Sequence, residues 1–369
     1  MSDVHHDAPK GRLSYRQCTV RYLVCFLAFF SGIALLNYSI DPLWMFPHSN
    51  RFNVRQVKID ERQQKTNLIT CGDHDFDAVL IGSSRCTFIS YHDFKGYRLF
   101  NYAMDATLPE EYADYIMYAR KQSRPGIKLI VLGLDFFGTN SNFQGYGQKP
   151  PEEYFRNAQS ISYRVQSLLA LDTLRYSVKN IRKSLGKPDG IFYSRETIKS
   201  CIKAPATREA KVRDVQYSVR EFRKRMYGKN YRYKDMRKIF GDIRRQNPGI
   251  RTVVFTTPTS EPLWELLVEE GRLDDYCRWI ADIVAEFGEV ITFMGVNSIT
   301  SNLDNYYDGH HFYPPVGKLI AARVMNLPDS GLPDDFGQRV TRENLDRYLA
   351  DVRARYHRPP PHDVGKRGE

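Results

Sequence analysis

The 369-residue chain is poor in cysteine: it holds six, and none falls in a zinc-binding or redox spacing. A chain of this length can bury a large core and needs no disulfide framework, so unpaired, buried thiols are expected. Cys18 and Cys25 lie in or beside an apolar segment and could not pair with the other four across a bilayer. No internal repeat is present, which argues against solenoids and propellers. Acidic side chains are also in deficit, 43 against 54 lysines and arginines, for a formal charge of +11. That balance points to an anionic neighbour, either nucleic acid, a phospholipid surface or an acidic glycan, without choosing among them. Wholesale disorder is excluded by an ordinary composition, 42% hydrophobic and 26% charged. No cofactor and no metal are expected.

Long apolar runs are absent but for one. From Tyr22 to Ile40, "YLVCFLAFFSGIALLNYSI" has no charged side chain and approaches the roughly 20 residues that span hydrocarbon. It reads as an uncleaved transmembrane anchor, because no small-x-small cleavage site precedes "NYSIDPLWMF" and the run is long for a signal peptide. Lys10, Arg12, Arg16 and Arg21 precede it and favour a cytoplasmic N-terminal segment, 1–21, although Arg51, Arg55 and Lys58 follow. Tyr38, Trp44 and Phe46 are expected near the outer membrane interface.

Beyond the anchor, 41–71 reads as a polar stalk, either a linker or an amphipathic helix. A domain over 72–356 follows. Strand-like runs at Asp77–Ile81, Tyr97–Tyr102, Ile127–Leu134, Ile250–Thr256 and Glu289–Met294 alternate with helical patterns at Pro109–Lys121 and Pro262–Phe287. This predicts an α/β fold with a mostly parallel sheet covered on both faces. The rhythm is interrupted at about 138–247 by tyrosine-rich and arginine-rich text, read as a mainly helical insertion. Basic residues interleaved with aromatics can bind nucleic acid. Behind a membrane anchor, a solvated face or one resting on lipid or glycan fits better, so no nucleic acid is expected. The polar, proline-rich 357–369 is expected to be a disordered tail.

Two stretches carry the chemistry. "FDAVLIGSSRCTFIS", Phe76 to Ser90, is a buried-strand pattern broken by Gly82, Ser83 and Ser84 at a helix start. Either serine can cap that helix, and strand–turn–helix is also how a nucleophile is exposed. Far downstream, "NYYDGHHFYPPVG" places Asp308 three residues before His311 in a loop entering a helix. That spacing lets a carboxylate orient an imidazole whose other nitrogen faces a serine. His310 competes with His311 for the role, and Asp308, His310 and His311 are too few for a convincing metal site.

Together, "IGSSR" and "DGHHFYPPVG" resemble the blocks of the SGNH (GDSL-like) hydrolase superfamily. "DAVLIGSSR", "FNYAMDATLPEEYADYIMYA", "VLGLDFF" and the anchor ending in "DPLWMF" are similar to membrane-anchored members of bacterial cell envelopes. The resemblance implies a three-layer α/β/α domain and a serine esterase or O-acyltransferase. Its substrate would be an acylated glycan or small ester, on the periplasmic side of a bacterial inner membrane, with polysaccharide-biosynthesis proteins as possible partners. It places the nucleophile at Ser84, the base at His311 and the orienting acid at Asp308. Oxyanion donors are then sought among the backbone N–H groups of Ser84 and Ala103 and the side chains of Asn101 and Asn140. The family's third-block asparagine has no counterpart, since Asp135 follows Gly133 there. Arg85, Asp135 and His310 are candidate substrate contacts, with a salt bridge the alternative for Arg85. A non-catalytic binding or scaffold protein is the competing reading.

Overall fold

A computed structural model describes residues 14–145, 149–196, 198–202, 207–328 and 331–356. Residues 1–13 and the tail expected at 357–369 lie outside the described residues. The apolar run forms most of helix α1 (Tyr15–Ile40), which is long and apolar enough to cross a membrane. It starts seven residues earlier than the run because Ser14 and Gln17 form a reciprocal capping box. It stops at Asp41, whose φ of 48° is left-handed and whose carboxylate accepts the N–H groups of Met45 (2.8 Å) and Phe46 (3.0 Å).

The chain then runs through β1 (Arg55–Gln56), α2 (Glu61–Cys71), β2 (Ala78–Ile81), β3 (Leu99–Asn101), α3 (Tyr112–Gln122) and β4 (Leu129–Leu134). The insertion holds α4 (Pro151–Gln159), α5 (Ile161–Leu169), α6 (Leu171–Leu185), β5 (Gly190–Ser194), β6 (Lys199–Ile202), α7 (Arg208–Phe222) and α8 (Met236–Gln246). The core resumes with β7 (Arg251–Thr256), α9 (Glu261–Glu269), α10 (Leu273–Phe287), β8 (Glu289–Thr292), α11 (Pro314–Val324), β9 (Gln338–Thr341) and α12 (Leu345–Tyr356).

The central sheet has the order β3-β2-β4-β7-β8-β9, parallel except for β9, which runs antiparallel to β8. Both faces of its middle strands are covered. Val79, Ile81, Ile130 and Leu132 enter one core with α3, α8 and α10, whereas Ala78, Leu80, Leu129 and Val131 enter a second with α11. The period-two alternation of strand side chains therefore feeds two helical layers, which is why these runs are apolar throughout. Strand order reverses beside β2, since β3 pairs on one edge and β4 on the other. In such sheets this reversal opens a crevice beyond the strands' C-terminal ends.

Two expectations need correcting. The segment 41–71 is no stalk: Glu61, Arg62, Gln63, Gln64, Lys65, Thr66 and Asn67 are all buried. Their polar groups are paired inside the protein, for example Gln64 Nε2 donating to Pro42 O (2.9 Å) and Asn67 Nδ2 to Leu43 O (2.9 Å). Trp44 likewise sits not in a lipid interface but 2% exposed, with its ring 5.1 Å from Tyr193. Most of the insertion is helical, as expected, but it also holds a hairpin. Its β5–β6 hairpin joins β1 in a separate antiparallel sheet, tying the insertion to the residues just after α1.

Candidate active site

β2 ends at the switch point, and the turn after it allows no side chain at Gly82. A Cβ there would stand 2.5 Å from Cys86 Sγ and 3.0 Å from Gly133 O. The two serines then take different roles. Ser83 is fully buried and its Oγ accepts the Arg85 N–H (3.3 Å), a local turn bond. Ser84 is partly exposed and leads into the 3-10 turn Cys86–Phe88, its carbonyl accepting the Thr87 hydroxyl.

The partner arrives from the loop before α11. Ser84 Oγ lies 2.8 Å from His311 Nε2, and His311 Nδ1 lies 2.8 Å from Asp308 Oδ2. Asp308 also shapes its own loop, because Oδ1 accepts the backbone N–H groups of His310 (2.8 Å) and His311 (2.7 Å). Burial opposes charge on Asp308, but the His311 ring, His310 and the backbone donors outweigh it and hold the carboxyl well below its usual range. The Tyr307 ring stacks parallel to His311, with centroids 5.1 Å apart, and restricts its rotation. Gly309 is clamped between the insertion and the start of α9: its N–H donates to Ser218 Oγ (3.2 Å) and its carbonyl accepts the Ser260 hydroxyl (2.5 Å). A Cβ at this glycine would meet Ser218 Cβ at 2.8 Å.

His310 does not compete for Ser84. Its ring packs 5.0 Å from Phe222, and burial, with His311 adding to it, pushes its pKa far below the ordinary value, so it stays neutral. Asp308, His310 and His311 bring ligand atoms within 4.8 Å of one another, but Asp308 Oδ2 and both His311 nitrogens are already paired within the relay to Ser84.

Most of the proposed oxyanion and substrate residues turn polar atoms into the core, although Arg85 Nε and Nη2 and Asp135 Oδ2 are buried there without a hydrogen-bond partner. Asn101 Nδ2 donates to Cys86 O (2.9 Å) and Ile89 O (2.8 Å), and its Oδ1 accepts the Ala103 N–H (3.0 Å). Both Asn101 and Ala103 therefore brace the turn after Ser84. Asn140 Nδ2 donates to Met226 O (2.9 Å), and its Oδ1 accepts the N–H groups of Asn142 and Arg232. Arg85, 1% exposed, pairs through Nη1 with Asp135 Oδ1 (2.7 Å), which also accepts the Thr257 hydroxyl. The salt-bridge alternative for Arg85 is what the structure holds, and Asp135 has its charge matched there. Among the described residues, no acceptor takes the Ser84 N–H or the Ala106 N–H. Ala106 lies in the loop after β3 at φ 47°, a left-handed conformation that side chains other than glycine seldom adopt.

Sequence reasoning missed a buried ionic cluster against the turn that follows Ser84. Lys199 Nζ donates to Thr87 Oγ1 (2.9 Å) and Glu61 Oε1 (2.8 Å), and Tyr193 donates to the same carboxylate oxygen (2.6 Å). Lys65 Nζ donates to Ala103 O (2.6 Å); burial pushes its pKa down to about 7, with Glu61 opposing that shift. Only the Glu61 and Lys65 spacing, four apart on one helix, hinted at a pair. Thr87 and Lys199 come from distant segments.

Compared with protein-family models and with curated proteins, the chain matches none.

Proposed function

We propose that the protein is a membrane-anchored serine esterase or O-acyltransferase of SGNH-like type, acting on acyl esters of a cell-envelope or exopolysaccharide glycan. The observation that carries this reading is the continuous relay Ser84–His311–Asp308, with both links at 2.8 Å. Ser84 Oγ attacks the ester carbonyl while His311 Nε2 takes its proton, and Asp308 stabilises the imidazolium. The oxyanion forms beside the nucleophile's own N–H. Collapse breaks the ester C–O bond, and His311 returns the proton to the departing alcohol. The acyl-Ser84 is then attacked by water or by a sugar hydroxyl, giving hydrolysis or transfer.

The scaffold reading draws on one observation, the commitment of Asn101, Ala103 and Asn140 to internal hydrogen bonds. The two readings separate on one experiment. The purified protein is treated with a serine-reactive phosphonate and digested for mass spectrometry, with acetyl-ester turnover measured in parallel. An esterase carries the adduct on Ser84 and loses turnover as it forms. An unlabelled Ser84, with no turnover, favours the scaffold.

A further inference from the structure

The apolar run Tyr22–Ile40 holds 19 residues, about 28 Å of helix at 1.5 Å per residue, scarcely the thickness of a hydrocarbon core. Arg16 and Arg21 bound its other end, so the run has no length to spare. Yet its last two turns are not free. Ile33, Asn37 and Ile40 form one buried face, packed against α5 and α6, while almost every residue from Tyr15 to Gly32 is exposed. If the run spans a bilayer, then about 10 Å of α5 and α6 beside Ile33–Ile40 is submerged with it.

The side chains there suit that position. Asn37, the one amide in the run, donates to Leu168 O (2.8 Å) and Ala170 O (3.2 Å) at the α5–α6 corner and accepts the Ser177 hydroxyl (2.9 Å). Its polarity is spent between helices, as an amide in hydrocarbon requires. On the outward side, α5 shows an apolar stripe at i, i+4 and i+8: Ile161 is 78% exposed, Val165 49% and Leu169 40%, and Leu171 continues it. Further along α6, Arg175, Lys179 and Arg182 are exposed at i, i+4 and i+7, and Asp172 is paired with Arg175 (3.3 Å). Long basic side chains here reach lipid phosphates while their stems stay in the apolar layer.

We infer that α5 and the first turns of α6 are a second membrane element, seated in the leaflet on the domain's side. They fix the depth and tilt at which the catalytic domain is held. The inference rests on α1 being a membrane anchor, and its occupant is lipid.

The test uses the full chain in vesicles of phosphatidylethanolamine and phosphatidylglycerol. Cys18, Cys25, Cys71 and Cys201 are replaced by serine, since Cys86 and Cys277 are buried. An NBD fluorophore is placed in turn at Leu27→Cys, Ile161→Cys, Val165→Cys and, as a solvent reference, Asp351→Cys. The expected result is quenching of Leu27 by deep doxyl lipid and of Ile161 and Val165 by shallow doxyl lipid, each losing about half its signal relative to Asp351. Quenching at Leu27 with none at Ile161 and Val165 overturns the inference and leaves the anchor standing. No quenching at Leu27 overturns the anchor itself, and this inference with it. Self-quenching at Val165 that grows with protein density, without a doxyl effect, assigns the face to a second copy and also overturns it.

Discussion

The site has two halves built from similar residue types to opposite ends. On the Ser84 side, Asp308, His311 and Ser84 pass their hydrogen bonds outward, one to the next, and end at a partly exposed hydroxyl. On the other side, Asn101 and Asn140 turn their hydrogen bonds into the core, and Arg85 and Asp135 pair with each other there through Nη1 and Oδ1, with Arg85 Nε and Nη2 and Asp135 Oδ2 left without a hydrogen-bond partner; all four are 9% exposed or less. The difference shows that a polar residue beside Ser84 can serve as a brace, and that burial with hydrogen bonds directed into the core marks it.

Replacing Ser84 probes this contrast hardest. Ser84→Ala should lower ester turnover by about 10³-fold or more with little change in melting temperature, whereas Ser83→Ala should leave most activity in place. Equal losses from the two would erase the distinction between cap and nucleophile. On the bracing side the expectation inverts. Arg85→Met strands the Asp135 carboxylate in the core and should cost about 3–5 kcal/mol in denaturant unfolding, much of it recovered in Arg85→Met with Asp135→Leu. A drop in turnover at unchanged stability would instead make Arg85 a substrate contact. Asn101→Ala leaves Cys86 O, Ile89 O and the Ala103 N–H without their partner, a destabilisation of about 1–3 kcal/mol. If Asn101 were an oxyanion donor, kcat would fall in its place.

A further expectation is a pH trend. The folded state lowers the Lys65 pKa from 10.5 to about 7, so between those values the unfolded chain binds more protons. The Lys65 contribution therefore makes the protein more stable as pH rises through that window. Thermal melts at several pH values should show a shallower rise in Lys65→Met, and an identical trend in both proteins would argue against a neutral Lys65.

What was legible in the sequence followed local rules. The central strands β2, β4, β7 and β8 are short runs rich in β-branched residues, and α1 is an apolar stretch of membrane length. The Asp308–His311 spacing closes within one loop, so it too could be read along the chain. Segment 41–71 misled because its glutamines and charges resemble a linker, and only partners such as Leu43 O, Pro42 O and Lys199 reveal that they are satisfied inside. Strand β9 was missed because "QRVT" carries no apolar run and is defined by pairing with β8.

By itself, then, the sequence determined the elements whose patterns are local: an apolar helix, the alternating strands and helices of a mostly parallel α/β core, and a Gly-Ser-Ser turn at the end of a strand. Which of two adjacent serines is aimed at the histidine was decided only by folding, because that depends on a contact across 227 residues. The same holds for Asn101, Arg85 and Asp135, whose chemistry is set by which groups desolvate and pair with them. Composition states that a polar group is present; tertiary structure alone determines whether its hydrogen bonds are already spent.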